Sequence, residues 1–159
     1  MPDPPPRAKF NPNINPLFNP NINPKANASL NPMFNPWINP KKIGPINPKS
    51  NRSLDPLFTP SLNPTANPSL DPKQTGAYSG SRRWTPDSEL IGYIVNTPNK
   101  AVLLLFDRDL EWTAFAVDNH RQGYNIFDLT SEWNGYLLKN AAGGLNEFNL
   151  EGDWVAFIM

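Results

Sequence analysis

Apolar and polar positions alternate with a period of two through the second half of the chain. From Glu111 to Val117, Trp112, Ala114 and Ala116 fall on one side, and Thr113, Phe115 and Val117 on the other. This spacing predicts a β-strand. Ala101 to Phe106 before it is an unbroken apolar run, and Asp107 to Asp109 carries turn chemistry. Together the segments predict a β-hairpin. The segments Phe127–Leu138 and Phe148–Met159 repeat the design, with Gly152 marking the last turn. In these two copies Trp133, Gly135 and Leu137 oppose Asn134, Tyr136 and Leu138, and Trp154, Ala156 and Ile158 oppose Val155, Phe157 and Met159.

A shared frame relates these segments. An aromatic residue opens each unit, a Trp follows six residues later, and a small residue, an aromatic and an apolar residue follow at eight, nine and eleven. The Trp residues 112, 133 and 154 stand 21 apart. A weaker copy, Trp84–Val95, has Leu90 at the Trp position. Lone hairpins are marginal in water, so the four must share one core. The fold class predicted is all-β, with four hairpin repeats about a pseudo-four-fold axis over residues 82–159. The Phe-Asp/Asn start, the Trp and the Gly/Ala-aromatic step make this region resemble the bacterial four-fold β-flower domain. That resemblance covers residues about 79–159 and implies a fold, with no reaction attached.

Residues 1–75 follow another rhythm. From Asn11 to Gln74 the chain runs in sixteen tetrapeptides, of which 14 open with Asn or Asp and 13 have Pro second. Proline every four residues forbids an α-helix and an interior strand, and Asn-Pro favours local turns. The unit NPNI resembles the Asn-Pro-Asn-Ala repeats of malaria circumsporozoite proteins, which implies a turn habit. The fourth position is apolar in 13 units, an unusual feature for a plain spacer. A semi-stiff spacer, a multivalent display and a compact turn solenoid all fit. Spacer or display is favoured, because so little secondary structure offers little to build a private core. Residues 76–81 read as a flexible linker between this arm and the β domain.

Composition adds an asymmetry. Residues 1–75 hold eight basic and three acidic side chains, net +5, and residues 76–159 hold six and eleven, net −5. An acidic β domain argues against specific nucleic-acid binding. The start, MPDPPPRAKF, has no apolar signal region, and no run is long enough to span a membrane. The expected localisation is therefore cytoplasmic by default, with non-classical export left open.

No catalytic, cofactor or metal motif stands out. Cys is absent and His120 is the one histidine, placed in the polar loop DNHRQG. The carboxylates Asp107, Asp109, Asp128, Glu132, Glu151 and Asp153 recur with the hairpin turns, which assigns them to turn formation rather than acid–base chemistry. The expected function is a non-enzymatic interaction or structural module for a protein or small ligand. A carbohydrate or small-ligand pocket on the axis is an alternative, lined by Trp112, Trp133, Trp154, Tyr93 and Tyr136. Self-assembly through the arm is another. A functional residue should break the repeat, so Arg82, Arg83, His120 and Arg121 join the candidates.

Overall fold

The computed structural model describes residues 11–76, 78 and 80–159. The N-terminal decapeptide, with the absent signal region read from it, and positions 77 and 79 of the linker lie outside them. Eight antiparallel strands form a closed barrel in sequence order. They are β1 (Ser81–Trp84), β2 (Leu90–Asn96), β3 (Val102–Asp107), β4 (Trp112–Asp118), β5 (Gly123–Asp128), β6 (Trp133–Lys139), β7 (Leu145–Asn149) and β8 (Trp154–Ile158). Closure leaves no sheet edge to recruit a foreign strand. No helix among the described residues is long and apolar enough to cross a membrane.

Successive side chains of a barrel strand point alternately in and out. Ile94, Leu105, Ala116, Ile126, Leu137 and Ile158 form one cluster drawn from β2, β3, β4, β5, β6 and β8, and fill the interior. Gly135 belongs to this inward set, and a methyl group there would sit 2.8 Å from the Phe148 carbonyl.

The outward set is equally apolar. Leu104, Phe115, Val117 and Phe127 are at most 1% exposed. What covers them is the arm. Leu62, with Ile46 and Leu70 beside it, packs on Val95, Leu104, Phe106, Phe115, Val117 and Phe127. Ile22 packs on Tyr136, Leu138 and Phe148. The arm therefore lies along the barrel instead of standing clear of it. The total accessible surface, 8366 Å², matches the roughly 8,000 Å² of a compact monomer of this mass. The physical reason is the outer face itself, which needs an apolar lid.

Alternate tetrapeptides of the arm do different jobs, so its structural unit is eight residues. Positions 14, 22, 30, 38, 46, 54, 62 and 70 are all Ile or Leu, and each is followed by Asn-Pro or Asp-Pro. Leu30, Ile38, Leu54 and Leu62 are 1–7% exposed. The intervening fourth positions face water, with Phe18, Phe34 and Phe58 62–74% exposed. Single 3-10 turns mark alternate units, including Pro36–Ile38, Pro60–Leu62 and Pro68–Leu70. Proline at the first or second position presets their φ. Asn35 and Asn67 cap two of them by accepting from the N–H of Trp37 and Ser69. The other end of each amide reaches back one coil: Nδ2 of Asn35 donates to the Ser29 carbonyl (2.8 Å) and that of Asn67 to the Ser61 carbonyl (3.0 Å). An Asp has no such donor. The two aspartates of the described arm, Asp55 and Asp71, sit instead in the buried triplets, where they accept from Leu57 N and Lys73 N.

Because arm and barrel share one core, truncating an arm anchor should unfold both. Leu62→Ala is expected to cost about 2–5 kcal/mol in urea denaturation. Barrel tryptophan signals should melt in the same single transition as the rest of the chain.

Candidate functional site

Three of the four hairpin turns are each built by one Asp or Asn side chain that accepts two backbone amides. Asp107 Oδ1 accepts from the N–H of Asp109 (2.9 Å) and Glu111 (3.0 Å). Asp128 does the same for Thr130 and Glu132, and Asn149 for Glu151 and Asp153. The fourth residue of each turn is left-handed: Leu110 at φ 67°, Ser131 at 67° and Gly152 at 87°. The Thr130 hydroxyl first, and the Glu132 and Thr130 amides and Lys41 after it, hold the Asp128 carboxyl below its ordinary range.

Next to each turn the register slips. Phe106 pairs with Trp112 but Leu105 pairs with Ala114, so Thr113 is an extra residue. Matching slips occur just after Trp133 and Trp154, at Asn134 and Val155. A bulge moves the residue before it to the other face. Trp112 therefore does not share a face with Ala114, as strict alternation predicts. It packs with the outward, arm-covered cluster, as does Trp133. Their indole N–H groups donate to the carbonyls of Ala114 and Gly135, both at 2.9 Å. Lys49 of the arm lies over the Trp112 ring at 5.4 Å and Lys25 over Trp133 at 5.7 Å.

The other aromatic candidates lie on the same outward side. Trp154 tilts against Phe157 with centroids 6.5 Å apart. Tyr136 stacks on Phe148 at 5.5 Å and is 1% exposed. Its hydroxyl is buried without a hydrogen-bond partner, and burial first, with the Asp153 charge second, pushes its pKa well up. Tyr93 is 5% exposed and meets Tyr78 edge-on. Trp112, Trp133, Trp154 and Tyr136 belong to the clusters on which the arm packs, and the candidates do not gather around the axis.

The basic candidates separate. Arg82 lies over the Tyr78 ring at 4.9 Å. Arg83 points inward and makes a two-pronged ion pair with Glu147, Nε to Oε1 at 2.6 Å and Nη2 to Oε2 at 2.7 Å. The pair reaches across β8, whose Ala156 faces Glu147. This is where the barrel closes: β1 and β8 pair at Arg83–Ile158 and Trp84–Phe157, and Arg82 and Met159 exchange two backbone hydrogen bonds beside them. Glu147 stands where the other repeats have Leu105 and Ile126, so it breaks the pattern and its partner is a candidate residue.

His120 and Arg121 lie at the opposite end of the barrel. His120 is left-handed at φ 61°, and its N–H donates to Asp118 Oδ1 at 2.7 Å. With Asp118, Gln122, Tyr124 and Lys139 it lines a cleft of about 510 Å³. A second recess of about 290 Å³ also ends on Tyr124, beside Leu103 and Asn96. Burial first, then the Asp118 charge, raises the Tyr124 pKa. Arg121 faces a separate recess against Ile14 and Ile22.

The most exposed apolar side chains belong to the arm: Trp37, 77% exposed directly before the anchor Ile38, and a set of six. Leu17, Phe18, Met33, Phe34, Leu57 and Phe58 are 58–74% exposed. All occupy the pair of positions after the buried Ile/Leu-Asn/Asp-Pro triplet. The sixteen residues of that kind contain these six, five lysines and no acid. The row follows the hairpin-turn end of the barrel. Leu17 lies against Gly152, where an added methyl would come within 2.7 Å of it. Lys41 pairs with Glu132, and Leu57 lines a recess with Leu110 and Trp112. Reading the arm in fours hid this row, and the strict Ile/Leu at every eighth residue was the signal that separates it from the core.

Comparison with protein-family models, curated proteins and solved structures gives no significant match.

Two outcomes follow from the buried contacts. Glu147→Gln should speed amide exchange in β1 and β8 more than in β3–β6, because it weakens the closing seam. Tyr136→Phe removes an unpartnered hydroxyl, so stability at neutral pH should hold or rise. The folded Tyr136 resists ionisation, while in the unfolded chain it ionises from about pH 10 upward. The wild type should therefore lose stability as pH climbs above about 10, and the variant should lose less, by chemical denaturation at each pH.

Proposed function

We propose that the chain is a non-enzymatic interaction module in which arm and barrel form one body and the outer row of the arm is the binding surface. The observation that carries this is the row itself: six large apolar side chains, in register, open to water. Scattered exposed apolar residues need no explanation, but an ordered row of them marks a contact surface. Large apolar side chains supply affinity and the lysines between them supply selectivity. We read the barrel as four hairpins about a pseudo-four-fold axis. The recurring Asx turn and the bulge beside each turn support this, and they agree with the β-flower resemblance.

A second reading concerns the cleft at Tyr124. A half-buried ring flanked by two recesses, with Asp118, Gln122 and Lys139 beside it, suits a small polar ligand such as a saccharide.

The full chain carrying Phe18→Ser, Phe34→Ser and Phe58→Ser tests the first reading. These side chains are outside the core, so stability should move by no more than about 0.5 kcal/mol for each substitution. Capture of binding partners on the immobilised protein should be lost. Unfolding of the variant, or unchanged capture, would show that the row is structural or idle.

A further inference from the structure

We infer that the occupant of the outer row is a second copy of this chain, docked rim to rim about a two-fold axis. The inference rests on the interaction reading above and names its partner. Three features of the rim carry it.

The first is position. Leu17 sits at the β7–β8 turn, Lys41 at the β5–β6 turn and Leu57 beside the β3–β4 turn. These turns lie at one end of a closed barrel, so the row runs along a single rim. A rim is a surface that two copies can share face to face.

The second is area. Six side chains about two-thirds exposed, at roughly 180 Å² each, offer on the order of 700 Å² per copy. A standard stable interface takes about 800 Å² from each partner. The row supplies most of that before its lysines and the turns are counted.

The third is charge. The row brings Lys25, Lys42, Lys49 and Lys73 and no acid, whereas the turns beside it bring Glu111, Glu151 and Asp153, all exposed. A partner of one sign, such as an anionic membrane or a basic peptide, would meet like charge on part of this rim. A two-fold contact places the same mixed surface on both sides, so the cations of one copy can meet the turn carboxylates of the other.

Sedimentation equilibrium of the full chain over a wide range of concentration tests this. The expected mass is twice 17.8 kDa. Phe34→Ser and Phe58→Ser should each weaken the dimer by about tenfold or more. Circular dichroism should match the wild type, which separates loss of association from loss of fold. A wild type of 17.8 kDa at every concentration, or a dimer untouched by the triple serine variant, overturns the proposal. A monomeric wild type whose partner capture still depends on the three phenylalanines would sink the dimer and leave the interaction reading standing.

Discussion

The packing of the Ile/Leu-Asn/Asp-Pro triplets onto the outside of the barrel is the contact on which the rest depends. An eight-stranded barrel of this size fills its own interior with side chains. Its outer face would ordinarily be polar. Here Leu104, Phe106, Phe115, Val117, Phe127, Tyr136 and Phe148 all point outward and are almost fully buried. Full burial of each such side chain contributes roughly 1.5–3 kcal/mol, and the arm completes what neighbours such as Phe115 and Phe127 begin by stacking on each other. The arm has the converse problem. Its turns make local hydrogen bonds but leave one apolar side chain in eight without company. Each half supplies the surface that the other lacks, so neither is a free-standing domain in the usual sense.

Asparagine makes this arrangement possible in a segment with almost no regular secondary structure. A buried loop carries backbone polar groups that must be satisfied. In the arm, asparagine amides serve two coils at once, with Oδ1 closing the local turn and Nδ2 tying the coil to the one before. Two of the contacts extend to the barrel. Asn47 Nδ2 reaches the Ser131 hydroxyl at 3.0 Å, and Asn125 Nδ2 of β5 reaches the Leu30 carbonyl at 2.9 Å. These bonds fix the register of the arm against the strands, a task that apolar packing alone performs poorly because it is not directional.

The strands, the turns and the all-β character could be read from residue pattern, because alternation and Asx chemistry act locally. The side of the sheet on which each tryptophan lies could not. It depends on single extra residues, Thr113, Asn134 and Val155, and nothing in their chemistry announces a bulge. The arm's packing was legible in principle. Ile or Leu recurs at every eighth position from 14 to 70, while the positions between them hold Phe, Ala, Lys, Ser or Gln. A four-residue frame averages these two classes and loses the difference. The Arg83–Glu147 pair was half visible. Arg83 stood out as unmatched, but only closure of β1 on β8 shows what it faces.

The division of each octapeptide has a consequence for where specificity can reside. The packed triplet hardly varies along the arm: Ile or Leu, then Asn or Asp, then Pro, eight times. The exposed pair after it runs Leu-Phe, Lys-Ala, Met-Phe, Lys-Lys, Lys-Ser, Leu-Phe, Thr-Ala and Lys-Gln. Variation is widest in this pair, while the three remaining positions vary less, with Ile43 and Thr59 standing where other units have a capping Asn. A change in the pair leaves the coil geometry intact, since cap, proline and anchor all lie elsewhere in the unit. The order of apolar and basic pairs can thus be altered with the coil kept, at the cost only of rim contacts such as Lys49 on Trp112 and Leu17 on Gly152. This makes the arm a scaffold whose outward face is free to be set by what it contacts, while the barrel beneath holds that face to a fixed curve.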